Sequence, residues 1–397
     1  MIRVTLFIAL QLSFICSWAQ VYDCSTGRFS QEVFSSYNAY TDIPYGENQT
    51  IGGEKQELSL DLFEPIADTL DYRPLIIFAH GGYFRFGDRV DFEEQCWTLA
   101  QRGYVTATID YRMWDKLGTP DSSQQAELLI QGMGDMKAAV RFFKADAAGP
   151  NLYGIDTNQI YVAGYSCGAM LSLYTAFLDD ESELPYWMQS ILTANGGVEG
   201  NSGNEGFSSK VNGVISITGG VPNEMMMDKD DCKNMMFFHG TDDEIVPFEK
   251  GLSKDLEETD ILFTCGASVL HNKAKELGLN STLNSPTGWG HDILNLTSTI
   301  DSEISNFIAP LVCNKVTGTV KQPEMEELLF YPNPAVEEIT IPRLSEQVQY
   351  DIIDVSGQIV DMGMTQQHLY VGHLEAGIYF FRAVLNGKKL VGRFEVR

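Results

Sequence analysis

Three short apolar runs rich in β-branched and aromatic residues punctuate the first two thirds of the chain: Pro74–Ala79, Gln159–Ala163 and Met235–Phe238. Each is bounded by turn residues, the signature of a strand buried on both faces. Between them the period changes. Ser122–Ala145 places apolar residues at helical spacing, Ala169–Leu178 reads as a buried helix, and Ile293–Leu311 predicts another. Leu58–Phe63 alternates polar and apolar, which predicts a half-exposed strand near a sheet edge. Strands alternating with helices imply an α/β fold, a mostly parallel sheet with helices on both faces. Past residue 327 the pattern becomes short strands separated by turns (Ile339–Ile341, Tyr350–Asp354, Gly377–Arg382, Val391–Val396) with no long helix, which predicts a small all-β sandwich. Lys315–Glu326 is polar and aperiodic and divides the two patterns. Asn195–Asn212, rich in Gly, Asn and Ser, reads as a mobile surface loop.

Chemistry collects where the predicted strands end. Gln159–Ala163 runs into Gly164-Tyr165-Ser166-Cys167-Gly168, a serine between two glycines on a strand-to-helix turn. A sharp turn exposes the hydroxyl, and a Cβ at either glycine would collide with the neighbouring elements. Pro74–Ala79 ends in His80-Gly81-Gly82-Tyr83. Such a glycine loop can turn backbone N–H groups toward a developing oxyanion, together with the N–H of the residue after the nucleophile. The expected donors are Gly82, Tyr83 and Cys167, with Gly81 a rival. Met235–Phe238 ends in His239-Gly240-Thr241-Asp242-Asp243-Glu244-Ile245-Val246-Pro247, rich in carboxylates, and Gly288-Trp289-Gly290-His291 precedes the last helix. Of six histidines (His80, His239, His271, His291, His368, His373), His291 stands where an imidazole can face a cleft. His80 lies in the glycine loop, His239 precedes the carboxylates and reads as structural, and His271 falls on a polar helical stretch.

These segments together resemble the serine carboxylesterases of the α/β-hydrolase superfamily, over roughly residues 50–312, and most of all the secreted bacterial esterases with an HGG oxyanion loop. The resemblance implies an α/β-hydrolase fold and a triad of Ser166, Asp243 and His291, with Asp242 as the alternative acid. Ser166 would attack an ester carbonyl with His291 as base, and water would resolve the acyl-enzyme. The loop departs from the family in having Tyr83 as its fourth residue, and a cysteine follows the serine. Phe84, Phe86, Trp114 and Trp289 are candidates for an apolar substrate pocket. No metal or cofactor is expected, because there is no H-E-x-x-H, no paired C-x-x-C and no phosphate-binding glycine loop. A peptidase or amidase on the same fold, and a non-catalytic surface adhesin, are the alternatives. Small acyl esters, ester-decorated polysaccharide and polyesters all fit as substrates.

The remaining features place the protein rather than define its chemistry. A formal net charge of −27 over 397 residues argues against a nucleic-acid partner and keeps the chain soluble. Residues 1–19 read as a signal peptide: Arg3, an apolar stretch to Ile15, and small residues at Ser17 and Ala19. No segment is long enough to be a membrane span. Export makes disulfides possible. Six of the seven cysteines lie beyond the signal. Cys24 and Cys313 bracket the catalytic region, so a bridge would staple its ends. Cys232 and Cys265 flank the acid loop and can pair, and Cys167 reads as a buried thiol. The last ~70 residues, with Tyr331-Pro332-Asn333-Pro334, Asp354-Val355-Ser356-Gly357 and Gly377-Ile378-Tyr379, resemble the C-terminal sorting domain of the type IX secretion system. That resemblance implies a Gram-negative protein passing through the periplasm to the cell surface or medium, with the secretion machinery as partner. The expected organisation is a signal peptide (1–19), an α/β-hydrolase catalytic domain (20–312), a linker (313–327) and a sorting β-sandwich (328–397).

Overall fold

The computed structural model describes residues 22–313, 325–342, 344, 346–354, 359–385 and 388–397. The signal peptide, most of the linker and part of Asp354–Gly357 lie outside the described residues.

Eight strands form the main sheet: β1 (Tyr37–Gln49), β2 (Lys55–Pro65), β3 (Arg73–Ala79), β4 (Val105–Ile109), β5 (Ile155–Tyr165), β6 (Gly213–Ile217), β7 (Asn234–Phe238) and β10 (Asn280–Asn284). Their order is β1-β2-β4-β3-β5-β6-β7-β10. The β1/β2 and β2/β4 pairs are antiparallel, and every pair from β4 to β10 is parallel. The parallel strands are apolar on both faces because helices cover both. Ile77, Val162, Val214 and Phe237 point into a core shared with α2 (Ser122–Ala148), α3 (Cys167–Phe177), α4 (Tyr186–Ala194) and α5 (Ala267–Glu276). Their chain neighbours Ile76, Tyr161, Ile215 and Met236 point the other way, onto α1 (Glu93–Gln101) and α6 (Thr297–Cys313). The α/β expectation therefore holds.

Three sequence readings are corrected. Leu58–Phe63 lies second from the sheet edge, as expected, but is not half-exposed: besides Leu58, Leu60 and Leu62, Asp61 and Phe63 of the opposite face are buried, Phe63 against Tyr37 and Trp97. The sequence signal for β1 is weak, since its residues are mostly polar and it bulges twice against β2. Residues 195–212 are not a free loop. Lys137 of α2 donates to the Val198 carbonyl (2.6 Å) and Arg141 to that of Glu199 (2.6 Å). The buried Arg112–Asp135 ion pair (2.7 Å) holds Ser202, which is fully buried. Buried cations need acceptors, and this strap provides them. Cys24 and Cys313 are bridged as expected, but Cys232 and Cys265 are separate buried thiols.

After residue 324 the regular elements among the described residues are all strands. A five-stranded sheet has the order β11-β17-β16-β13-β14, and β12 pairs with β15. The strands are β11 (Met325–Glu327), β12 (Glu338–Thr340), β13 (Val348–Asp354), β14 (Ile359–Thr365), β15 (His368–Tyr370), β16 (Gly377–Leu385) and β17 (Lys388–Val396). They enclose a separate core of Phe330, Ile339, Ile352, Phe381 and Phe394.

Candidate active site

Ser166 sits between the end of β5 and the first residue of α3 with φ 54° and ψ −119°. A non-glycine residue there is strained, and the surroundings hold it: its N–H bonds the Ile217 carbonyl (2.9 Å) and its own carbonyl takes the Met170 N–H (3.0 Å). The flanking glycines are required sterically. A Cβ on Gly164 would lie 2.4 Å from the Gly168 backbone, and one on Gly168 would lie 2.2 Å from the Ala79 carbonyl oxygen. The second contact also shows that the turn packs directly on the end of β3, where the glycine loop begins.

His291 and Asp243 reach this serine from two other loops. His291 Nε2 lies 2.9 Å from Ser166 Oγ, and His291 Nδ1 lies 2.8 Å from Asp243 Oδ2. Asp243 Oδ1 accepts the Ile245 and Val246 N–H groups, both at 2.9 Å. Burial alone would raise the Asp243 carboxyl, but hydrogen bonds from His239 and His291 and their charge outweigh it and hold it well below the usual carboxylate range. The Asp242 carboxylate accepts from the hydroxyl of its neighbour Thr241 (2.8 Å), and its N–H bonds the Trp289 carbonyl (2.9 Å). Asp243 is thus the carboxylate of the pair that His291 contacts. The acid and base loops are closely packed: a Cβ on Gly240 would lie 2.2 Å from the Trp289 carbonyl oxygen.

The glycine loop takes the left-handed region at three successive residues, Gly82 (φ 113°), Tyr83 (φ 59°) and Phe84 (φ 58°). His80 is fully buried, bonded through Nδ1 to the Gly81 carbonyl (2.7 Å) and stacked on Tyr111 with ring centroids 4.4 Å apart. Cys167 opens α3, so its N–H has no partner within the helix. Its thiol is buried, which pushes it up, and the Tyr111 hydroxyl (3.4 Å) and the backbone N–H groups of Phe84, Gly168 and Tyr83 only partly offset that.

The four aromatic pocket candidates scatter. Phe84 is core against Tyr111, Phe86 is exposed under Arg85, Trp114 bonds the Gly118 carbonyl, and Trp289 is half-exposed on the base loop. None of them lines the cavity that Met170 borders. That cavity, about 210 Å3, is lined by Met170, Tyr174, Trp187, Val221 and Phe263 among others. Met170 is one helical turn past Ser166, and Val221 follows the end of β6. Phe263 belongs to β9 (Asp260–Cys265), which pairs with β8 (Lys250–Lys254) in a hairpin inserted after the acid loop. The lining comes from helix and hairpin residues spread over more than a hundred positions, so no local motif announces it. His239, read as structural, is the other residue whose place the sequence did not reveal: its Nε2 lies 3.1 Å from Asp243 Oδ2.

Comparison with known proteins fits this geometry. Residues 60–230 match the BD-FAE family model, and residues 329–397 match that of the secretion system C-terminal sorting domain. Esterase 2 of Thermogutta terrifontis, solved phosphorylated by paraoxon, superposes with a TM-score of 0.51 at 20% identity, over 70% of this chain and 95% of that one. The chain has an α/β-hydrolase fold, followed by a region that matches the sorting domain. The hydrolase is also similar to the kynurenine formamidases of Danio rerio (28% identical over 131 residues) and Salmo salar (26% identical over 131 residues). The aligned stretch is 33% of this chain and 36% of each relative, so the chain spans about a third of the length of the curated relatives it matches. Among the described residues no helix is long and apolar enough to cross a membrane, and no cluster of His, Cys, Asp or Glu is arranged to hold a metal ion.

Proposed function

We propose that this hydrolase is a secreted serine carboxylesterase in which Ser166 is the nucleophile, His291 the general base and Asp243 its orienting acid. The observation that carries the reading is the unbroken chain of contacts from Ser166 Oγ through the His291 ring to Asp243 Oδ2, at 2.9 and 2.8 Å. His291 takes the serine proton as Oγ attacks the ester carbonyl, then returns it to the leaving alcohol. The Asp243 carboxylate keeps the ring in the Nδ1–H tautomer and stabilises the imidazolium. The Cys167 N–H and the N–H groups of Gly82 and Tyr83 receive the oxyanion, since the turn and the glycine loop meet at Gly168. Water then hydrolyses the acyl-enzyme. The cavity beside Met170 takes the apolar side of the substrate. The sorting domain directs the hydrolase through type IX secretion to the cell surface or the medium.

The test is hydrolysis of p-nitrophenyl acetate, butyrate and octanoate by the mature chain and by Ser166→Ala. Loss of all enzyme-dependent hydrolysis in the variant supports the reading, and a variant as active as the parent removes it. The kynurenine formamidase similarity favours a second reading, an amidase on the same fold. Faster turnover of an N-formyl anilide than of the matched ester would move the assignment there.

A further inference from the structure

His239 is fully buried at the end of β7, its N–H bonded to the Asn284 carbonyl of β10 (3.0 Å) and its ring set edge-on to Phe248, 5.7 Å between centroids. Its Nε2 lies 2.9 Å from the Val246 carbonyl oxygen. A carbonyl only accepts, so Nε2 carries the proton. The same N–H is 3.1 Å from Asp243 Oδ2, the oxygen that receives His291 Nδ1 at 2.8 Å. Oδ1 accepts two backbone N–H groups, Oδ2 accepts from His291, and the Nε2–H of His239 faces Oδ2 at ion-pair distance. A purely structural histidine would be served by Val246 alone. This one also sets its Nε2–H 3.1 Å from the oxygen that the base uses, while its Nδ1 is buried with no partner.

We infer that His239 is a positioning residue for the triad: its Nε2–H shares the Asp243 oxygen with His291, fixing the carboxylate and moderating its hold on the protonated base. This rests on the serine-triad reading above. Two effects follow from one hydrogen bond. Without it, Oδ2 carries more of its charge toward His291 and favours the imidazolium, so the base must be freed at higher pH. The carboxylate also gains a rotation, so fewer encounters find the ring aligned. The other groups facing His291 are Ser166, the Tyr165 ring (5.4 Å), whose hydroxyl lies 3.3 Å from the His291 carbonyl, and the adjoining Asp292. Tyr83 also lies within the field of Asp243. None of these changes when His239 is replaced.

The experiment measures kcat and KM on p-nitrophenyl butyrate from pH 4 to 9 for the full mature chain, His239→Leu and His239→Gln. Reactive serine is counted in each with a fluorophosphonate. His239→Leu should titrate fully, keep KM within about twofold, lose about tenfold in kcat per titrated site, and move the acidic limb of kcat/KM up by about half a pH unit. His239→Gln, whose amide N–H reaches the place of Nε2, should recover most of both. An unmoved limb with unchanged kcat per site in the Leu variant would overturn the inference and leave the triad reading standing. A parent chain that does not react with the fluorophosphonate would overturn both. Should the Leu variant fail to fold, His239→Asn serves instead, since its amide sits near Nδ1 and falls short of Asp243. An Asn variant matching the parent in limb and kcat would be equally fatal.

Discussion

At Ser166 a single backbone conformation does two jobs. Its positive φ lifts Oγ out of the strand and starts α3 at the next residue, so the serine hydroxyl and the first helical N–H arrive together. Replacing Ser166 by Ala should cut kcat/KM at least ~10⁴-fold, and Asp243→Asn ~10²–10⁴-fold, both with unchanged melting temperatures. Steady-state kinetics on p-nitrophenyl butyrate checks both. A residue far from the chemistry sets a pH dependence of stability. Asp301 on α6 is buried with Oδ1 unpartnered, and burial raises its carboxyl to about 7 despite Arg102 nearby. A carboxyl raised on folding contributes stability that is complete below its unfolded value, ~4, and is lost as pH rises through 7. Asp301→Asn should therefore raise the melting temperature by several degrees at pH 8 and leave it nearly unchanged at pH 4, read by calorimetry at both.

At the scale of elements, legibility followed locality. The strand-turn-helix around Ser166, the glycine loop and the acid and base loops were readable because each is a short run whose residue types are dictated by its own backbone. Asp243 over Asp242 was not decided by the residues themselves, since adjacent carboxylates differ only in which loop N–H groups they meet. The strap over α2, the strand β1 and the pocket were less legible for another reason. Their residues are polar or scattered and acquire their roles from partners far along the chain, as Ser202 does from Arg112 and Asp135. That network predicts a specific cost. Asp135→Asn leaves the buried Arg112 charge without its counter-ion and should destabilise the fold by about 3–5 kcal/mol, measurable by urea unfolding. The pocket makes a separate prediction. Trp187 is half-exposed on α4, so Trp187→Ala should leave the fold intact. It should lower kcat/KM on the octanoate about tenfold relative to the acetate.

Over the whole molecule, two bodies of different construction follow one another, an eight-stranded α/β sheet and a small all-β unit with its own core. Deleting 328–397 should trap the hydrolase in the periplasm with its activity unchanged, which fractionation of cells and medium would show. The bridge between Cys24 and Cys313 closes 289 residues of separation into one covalent ring, and every group of the proposed site lies inside it. The region that matches the sorting domain, residues 329–397, lies outside that ring, past its closing residue. A pull on the tail is therefore passed from Cys313 across the sulfurs to Cys24 and cannot peel α6 away from the sheet. A protease that severs the tail leaves the ring closed. The hydrolase can be dragged by its last residues, or lose them, without its catalytic sheet being unthreaded.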